Sequence, residues 1–420
     1  MKRTEKKDCC SSFWQAFFTA IIISLILPIP SQAIEIGEGL DLGGNVRWRA
    51  ELDGRDFSDK TAMNEMSLLR SRVGLTITAI ENTTLYLQMQ DSRNLGVNSS
   101  GLTNDTNLGI HQAYIEMSNI VTEGLSWQVG RFEAVYGRHR LMGNVGWDNV
   151  GRSFDGGRLM RKGSTYSADI FFLKVLERSF NTPPNHKDRM LYGFYSKFME
   201  DRLDFFILYD WDQMKTGDDY NLARFTIGSY LKNKLESGIG YELDAAYQGG
   251  KQAANDISAF MVAGDLYYSP KHKIMFLYSE VSKIGIGFDI TSGDDDTTDD
   301  EIKSFNNLYY TGHRFRGYMD FFLGTSTQGL MDLILRAAVK PRPHCEISVD
   351  IHHFQTMEDH LTPDGDSSRA VGQEIDITFK RKLKEGLAFQ GGISTFIASD
   401  DWIADADRAY WFYAMITAGF

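Results

Sequence analysis

Apolar and polar residues alternate one by one through most of this chain. Val46, Trp48 and Ala50 interleave with Arg47, Arg49 and Glu51; Leu85, Leu87 and Met89 interleave with Tyr86, Gln88 and Gln90. Arg70, Arg72, Gly74, Thr76 and Thr78 interleave in the same way with Ser71, Val73, Leu75 and Ile77. Successive side chains of a strand point to opposite faces, so the pattern demands strands with one apolar and one polar face. In a soluble sandwich the apolar face would be core. In an outer-membrane barrel it faces lipid, and the polar face lines a lumen.

Connection lengths decide between these. Strands begin near residues 40, 67, 83, 109, 125, 153, 165, 188, 202, 220, 237, 256, 273, 329, 344, 370, 386 and 409, which makes an even 18. Every second link is tight: Glu81-Asn82, Lys162-Gly163-Ser164, Glu200-Asp201, Asn233-Lys234, Pro270-Lys271, Pro341-Arg342-Pro343 and Lys384-Glu385. The links between them are longer and more polar, at 93–108, 137–152, 177–187, 357–369 and a very long one at 284–328. Residues 317–326 fit either a nineteenth strand or part of that loop. Alternating short and long links are what an up-and-down barrel with periplasmic turns and extracellular loops produces. A Greek-key sandwich has no reason to keep that parity. The expected fold is therefore all-β: a transmembrane up-and-down antiparallel β-barrel of about 18 strands.

The first 33 residues stand apart from this rhythm. Lys2, Arg3, Lys6 and Lys7 form a positive n-region, Ala16–Leu27 is a mostly apolar h-region, and Ser31-Gln32-Ala33 offers a small-residue cleavage site. This is the pattern of a secretory signal peptide cleaved after Ala33, leaving 34–420 as one barrel domain. The apolar run is shorter than the roughly 20 residues a spanning helix needs. Cleavage would remove Cys9 and Cys10, leave Cys345 alone, and take the net charge from -12 to -14, because four basic and two acidic residues depart. An exported chain with one cysteine is not a disulfide-stapled domain. With a mean hydropathy of -0.30 and no other long apolar run, it is not a helical membrane protein either.

The C-terminus fits a barrel. Tyr410, Phe412, Ala414, Ile416, Ala418 and Phe420 make one apolar stripe ending on a terminal aromatic. A closing strand must offer a lipid-facing row and an edge that pairs with the first strand. The ending resembles the signal that the barrel-insertion machinery reads in Gram-negative outer-membrane proteins. Trp48, Trp127, Tyr209, Trp211, Tyr267 and Tyr268 lie near strand ends, as interfacial girdles require. The expected location is the outer membrane, with lipid and lipopolysaccharide as neighbours.

The chemistry concentrates early. Residues 40–163 hold 12 Arg and only 2 Lys, Lys60 and Lys162. A solubilising surface would mix the two. Arginine stays charged, presents a planar fork to carboxylates and is less strongly hydrated than lysine, so a ring of arginines is an expected filter for anions. Arg47, Arg49, Arg70, Arg72 and Arg131 are placed on the polar faces of their strands. Arg138, Arg140 and Arg152 lie in or beside a Gly- and Asn-rich stretch read as an inward-folded loop, and Arg158 follows it. Glu51, Glu116, Glu133, Asp148 and Asp155 are interleaved, to fix guanidinium rotamers and to keep an anion from binding too tightly. The competing reading is that these pairs only brace a polar interior.

Other constellations are weaker. His344 and His352 share a strand face but are about 27 Å apart by strand rise, so with Cys345 and His353 they make a poor metal site. The run GDDDTTDDE (293–301) lacks the glycine at the sixth position of an EF-hand loop and reads as a solvated loop. There is no nucleotide-binding loop, Gly-x-Ser-x-Gly, His-Glu-x-x-His or DNA-binding pattern. No cofactor, metal or nucleic acid is expected.

The segments IHQAYIEM, QVGRFEAVYGRHRLMGN and WDNVGRSFDGGRL resemble the core pattern of the alginate export family of outer-membrane barrels. RWRAEL, LLRSRVGL, QMQDSR and LYYTGHRFRGYMD agree more weakly. The resemblance implies an 18-stranded monomeric barrel with a narrow, arginine-rich lumen that passes a polyuronate. The family also holds channels of other solutes, so it supports a pore more strongly than it supports alginate. The function read from the sequence is an outer-membrane channel giving passive passage to an anionic solute such as an acidic polysaccharide or oligosaccharide. The alternatives are a general or anion-selective small-solute porin; a barrel enzyme, for which His111, His139 and His313 are available; and a structural barrel plugged by the 284–328 loop.

Overall fold

The computed structural model describes residues 34–96, 108–177, 188–212 and 221–420; the proposed signal peptide lies outside them. Eighteen long strands follow in chain order: β1 (Leu40–Gly54), β2 (Asn64–Ile80), β3 (Thr83–Asn94), β4 (Gly109–Met117), β5 (Leu125–Phe132), β6 (Phe154–Lys162), β7 (Tyr166–Leu176), β8 (Arg189–Phe198), β9 (Leu203–Asp212), β10 (Leu222–Lys234), β11 (Ile239–Gln252), β12 (Asn255–Tyr268), β13 (Ser279–Thr291), β14 (Leu330–Arg342), β15 (Cys345–Leu361), β16 (Ser367–Lys384), β17 (Leu387–Ala398) and β18 (Ala409–Gly419). Each pairs antiparallel with its neighbours in sequence. β18 closes on β1 in a register running from Asn45↔Gly419 to Gly54↔Tyr410. The terminal Phe420 exchanges both backbone hydrogen bonds with Gly44, at 2.9 and 3.0 Å. Closure leaves no unpaired edge, which is what a sheet in lipid requires.

Burial is inverted relative to a soluble protein. Ile170, Ile207, Phe225, Phe260, Ile286 and Leu335 are exposed on the outer face, while Arg47, Arg49, Asp289, Asp332 and Glu374 are buried within the lumen. The apolar band therefore belongs against lipid and the charged side chains line the interior. No helix among the described residues is long and apolar enough to cross a membrane.

Seventeen of the strands begin within three residues of the positions expected from sequence. The exception is β13, expected near 273 but starting at Ser279. The apolar run Ile274–Tyr278 reads as a strand. Leu277 and Tyr278 instead have φ of 46° and 64°, and reverse the chain after Met275–Phe276 has paired with Ser279–Glu280. The true strand was hidden because Gly285 and Gly287 dilute its apolar signal. Gly287 is needed there, since a Cβ would overlap the Asp265–Arg336 ion pair. The long loop accordingly runs over 292–329, not 284–328, and 317–326 belongs to it rather than to a nineteenth strand.

Parity of the connections holds with three departures, of which one is the seven-residue link 118–124 between β4 and β5 on the turn end. β11 and β12 join by two residues on the loop end of the barrel, and β12 joins β13 through ten residues on the turn end. By the barrel rule the short-turn end, where Phe420 also lies, is periplasmic.

Candidate functional site: a constriction built from two inward loops

Two long connections enter the lumen and meet. Loop A (133–153) joins β5 to β6, and loop B (292–329) joins β13 to β14. Tyr309 N–H donates to the Leu141 carbonyl at 2.9 Å, Gly143 N–H to Tyr309 at 2.8 Å and Thr311 N–H to His139 at 2.9 Å. The result is an isolated parallel bridge across the interior, with Met142 opposite Tyr309, flanked by the Thr311–His139 bond. It satisfies backbone groups that would otherwise be buried unpaired.

Three kinds of contact hold loop A. Tyr136, Leu141 and Met142 pack on a patch of inward aromatics that includes Phe132, Phe154, Phe171, Tyr195 and Phe206. The Tyr136 ring stacks 5.0 Å from Phe171 and 4.7 Å from Tyr195. Arg138 and Arg140 reach an acidic wall on β11–β13. Arg138 meets Asp265 at 2.7 Å and Glu242 at 2.9 Å; Arg140 meets Asp289 at 2.5 Å and Asp244 at 3.5 Å, with Phe315 against its guanidinium at 4.0 Å.

The third contact comes from β1 and β2. Arg47 donates to the carbonyls of Gly146 and Asp148 at 2.8 and 2.9 Å, and Arg70 donates to the same two at 3.1 and 3.0 Å. Arg49 donates to the Trp147 carbonyl at 2.6 Å, lies 4.1 Å from that indole, and pairs with Glu51 at 2.6 Å. Arg72 binds Gln90 at 2.6 Å, Glu133 at 3.1 Å and the Val150 carbonyl at 3.3 Å. These four arginines are 4–8% exposed. They clamp loop A through its backbone more than they offer an open surface.

Loop B is tied to the far side. Arg316 pairs with Asp289 at 3.2 Å, and Arg152 of loop A donates to the Tyr309 and Tyr310 carbonyls. The backbone N–H of Met319 donates to Glu374 at 2.8 Å, and that of Tyr318 donates to Asp376 at 3.3 Å. Gly317 has φ of +84°, and a Cβ there would run into the Glu374 carboxylate, so only glycine lets the loop approach this closely. Phe321 and Phe322 pack with Phe354, Phe396 and Trp402.

Of the residues expected at the site, Arg47, Arg49, Arg70, Arg72, Glu133, Arg138, Arg140 and Arg152 converge on the two loops. Arg158 also faces the lumen, beside the foot of loop A: it is bonded to Gln128 at 2.6 Å and lies 3.9 Å from Asp169, whose carboxylate accepts from the Tyr136 hydroxyl at 3.0 Å. Arg131 and Asp155 are a correction. On β5 the inward residues are Gln128 and Phe132, so Arg131 points outward, where it forks onto its cross-strand neighbour Asp155 at 2.7 and 2.6 Å. Side-chain exposures of 45% and 54% agree with an outer-rim pair.

The acidic wall was missed. Its signal was available: single acids two residues apart in otherwise apolar strands, as in Glu242 and Asp244, or Glu374 and Asp376. Among the histidines, His111 bonds Glu133 at 2.8 Å and Ser153 at 3.1 Å, superficially a catalytic triad. The Ser153 hydroxyl, however, donates to the His111 carbonyl at 2.6 Å, and Glu133 is shared with Arg72 and Asn144. The arrangement pins the base of loop A. His352 is bonded to Asp332 at 2.8 Å, and among the described residues no group of His, Cys, Asp and Glu could hold a metal ion. Outside the barrel, Asp295 is held below the usual carboxylate range by its hydrogen bond to Lys303, in keeping with a solvated, internally braced run.

A closed 18-stranded antiparallel barrel with a charged interior crossed by inward loops has the fold of the outer-membrane porins. The chain belongs to the alginate export family, whose profile matches residues 38–411. No curated protein sequence matches it. Among solved structures it is similar to Pseudomonas aeruginosa OccK11 (OpdR), at 14% identity and TM-score 0.60 over 94% of this chain and 99% of that one. It is similar also to OccK2 (OpdF) of the same organism in complex with glucuronate, at 12% identity and TM-score 0.61 over 93% and 99%. Acinetobacter baumannii OccAB3 matches at 9% identity and TM-score 0.62 over 91% and 100%.

Proposed function

We propose that this protein gives passive passage to an anionic, uronate-type saccharide across the outer membrane of a Gram-negative bacterium, through the constriction between β1–β2 and the two loops. One observation carries the reading. Arg138, Arg140 and Arg316 are matched by the acidic wall, whereas Arg47, Arg70 and Arg152 bind only carbonyls, with no carboxylate at ion-pair distance among the described residues. A carbonyl neutralises no charge, and Asp148 and Glu133 act on these arginines only from beyond ion-pair distance, so surplus positive charge remains where loop A crosses the lumen. A carboxylate passing there is attracted without a fixed counter-ion to displace. The glucuronate bound in OccK2 and the vanillate bound in OpdK are carboxylates of this kind, which supports the choice of solute class.

The test is block of single-channel current by an oligouronate, with a neutral oligosaccharide of equal length as control. Wild type should be blocked by the uronate alone. Arg47→Gln with Arg70→Gln should weaken block by about tenfold, or about 1.4 kcal/mol. Equal block by both sugars, or no effect of the pair, contradicts the proposal.

A second reading is a plugged barrel. It is favoured by the burial of the four arginines beneath the loops and of Met142, Phe305 and Met319 within them. The loop deletion described in the Discussion separates it from a conducting channel.

A further inference from the structure

Below the arginine level the lumen changes its cation. Lys283, Lys340, Lys380 and Lys382 lie on β13, β14 and β16, toward the turn end. Lys340 continues the inward face of Asp332, Ile334, Arg336 and Ala338, and Lys380 and Lys382 continue that of Glu374, Asp376 and Thr378. Lys283 is in register with the inward Ala338, its ammonium 4.4 Å from the Tyr267 ring. The lysine ion pairs among the described residues involve Lys174, Lys251, Lys273 and Lys303, and none of these four. Lys340, Lys380 and Lys382 line one cavity of about 490 Å³ together with Arg381, Cys345, Gln390 and a single carboxylate, Glu346, which faces Lys380 in register.

The opposite mouth has the reverse sign. Its loops carry Asp295, Asp296, Asp299, Asp300 and Glu301 on loop B, and Asp364, Asp400 and Asp401 beyond it. A polyanion is therefore repelled at the loop end and drawn in at the turn end. Lysine suits such a vestibule: it is a hydrated, mobile point charge that concentrates anions without gripping them, whereas arginine forks hold.

Resting on the channel reading above, we infer that the lysine-lined cavity at the turn-end mouth is a capture site for the carboxylates of an acidic saccharide chain and speeds their entry from that side. The cavity sets the rate of entry from one side; net direction still follows the solute gradient. Lys340 and Lys380 flank Glu346 on adjacent strands about 4.8 Å apart. The lone acid keeps both ammonium groups from being spent on one bound carboxylate.

The experiment uses residues 34–420 refolded into a planar bilayer. Orientation is read only after each recording, from Cys345 at the turn end, because this thiol lines the cavity and a bulky polyethylene-glycol maleimide added to the periplasmic side would obstruct it. Oligouronate is added to one side at a time. In wild type the on-rate of block should be at least about tenfold faster from the periplasmic side at low salt, with the difference collapsing at high salt. The triple substitution Lys340→Gln, Lys380→Gln, Lys382→Gln should remove the sidedness while open-channel conductance persists. Equal on-rates from both sides in wild type, or sidedness that survives the triple substitution, overturns the inference. If wild type is not blocked by uronate from either side, the channel reading fails first; if it is blocked symmetrically, only the capture site fails.

Discussion

Replacing Arg138 and Arg140 together by Met should unmoor loop A and cost about 3–5 kcal/mol of unfolding free energy, the range for breaking buried ion pairs from one side. The cost falls on the carboxylates left behind. Asp265 keeps Arg336 and Asp289 keeps Arg316, but Asp244 loses both its cations and Glu242 keeps only the Tyr230 hydroxyl at 2.9 Å. Asp244→Asn in the same background should therefore recover part of the loss, because the orphaned charge is removed. Denaturant unfolding in detergent measures the stability. Single-channel noise checks the structural side: a freed loop A should turn a steady conductance into a flickering one. Double-variant stability within about 1 kcal/mol of wild type would show that the apolar packing of Tyr136, Leu141 and Met142 suffices to hold the loop.

Removing loop B should have the largest effect on conductance. Asp294 N–H already donates to the Thr327 carbonyl at 2.7 Å, so residues 295–326 can be replaced by a short Gly-Ser link without moving β13 or β14. The deletion strips Tyr309, Arg316 and Met319 from the lumen and leaves Phe354, Phe396 and Trp402 uncovered. Conductance should rise several-fold and uronate block should weaken, while the barrel keeps its strand content and loses thermal stability. Unchanged conductance would place the constriction elsewhere. Conductance appearing from a silent wild type would establish the plugged reading instead.

The barrel was legible in the sequence because lipid and lumen impose a strict two-residue period, and because the strand count is written in the turn residues. β13 escaped for a local reason. Its glycines make room for an ion pair, and packing needs of that kind have no signature in a strand's own pattern. The arginine cluster was legible as residue type and spacing, since a run of arginine without lysine is chemically unusual. What the arginines bind was not. Arg47, Arg49 and Arg70 meet backbone carbonyls of a loop 76 to 99 residues away, and carbonyls are the same in every sequence. The outward turn of Arg131 depends on one residue of register near a strand end, where alternation no longer fixes the face. The acidic wall could have been found by asking which strands could receive the loop arginines.

The central claim is that unmatched guanidiniums at the loop constriction make the channel favour anions. Its most direct test is the zero-current potential of the wild-type channel under a KCl gradient at neutral pH. The account predicts a potential shifted toward the chloride equilibrium value, with the shift reduced when Arg47 and Arg70 are replaced by Gln. A potential shifted toward the potassium value would contradict it, because the acidic wall would then govern the pore.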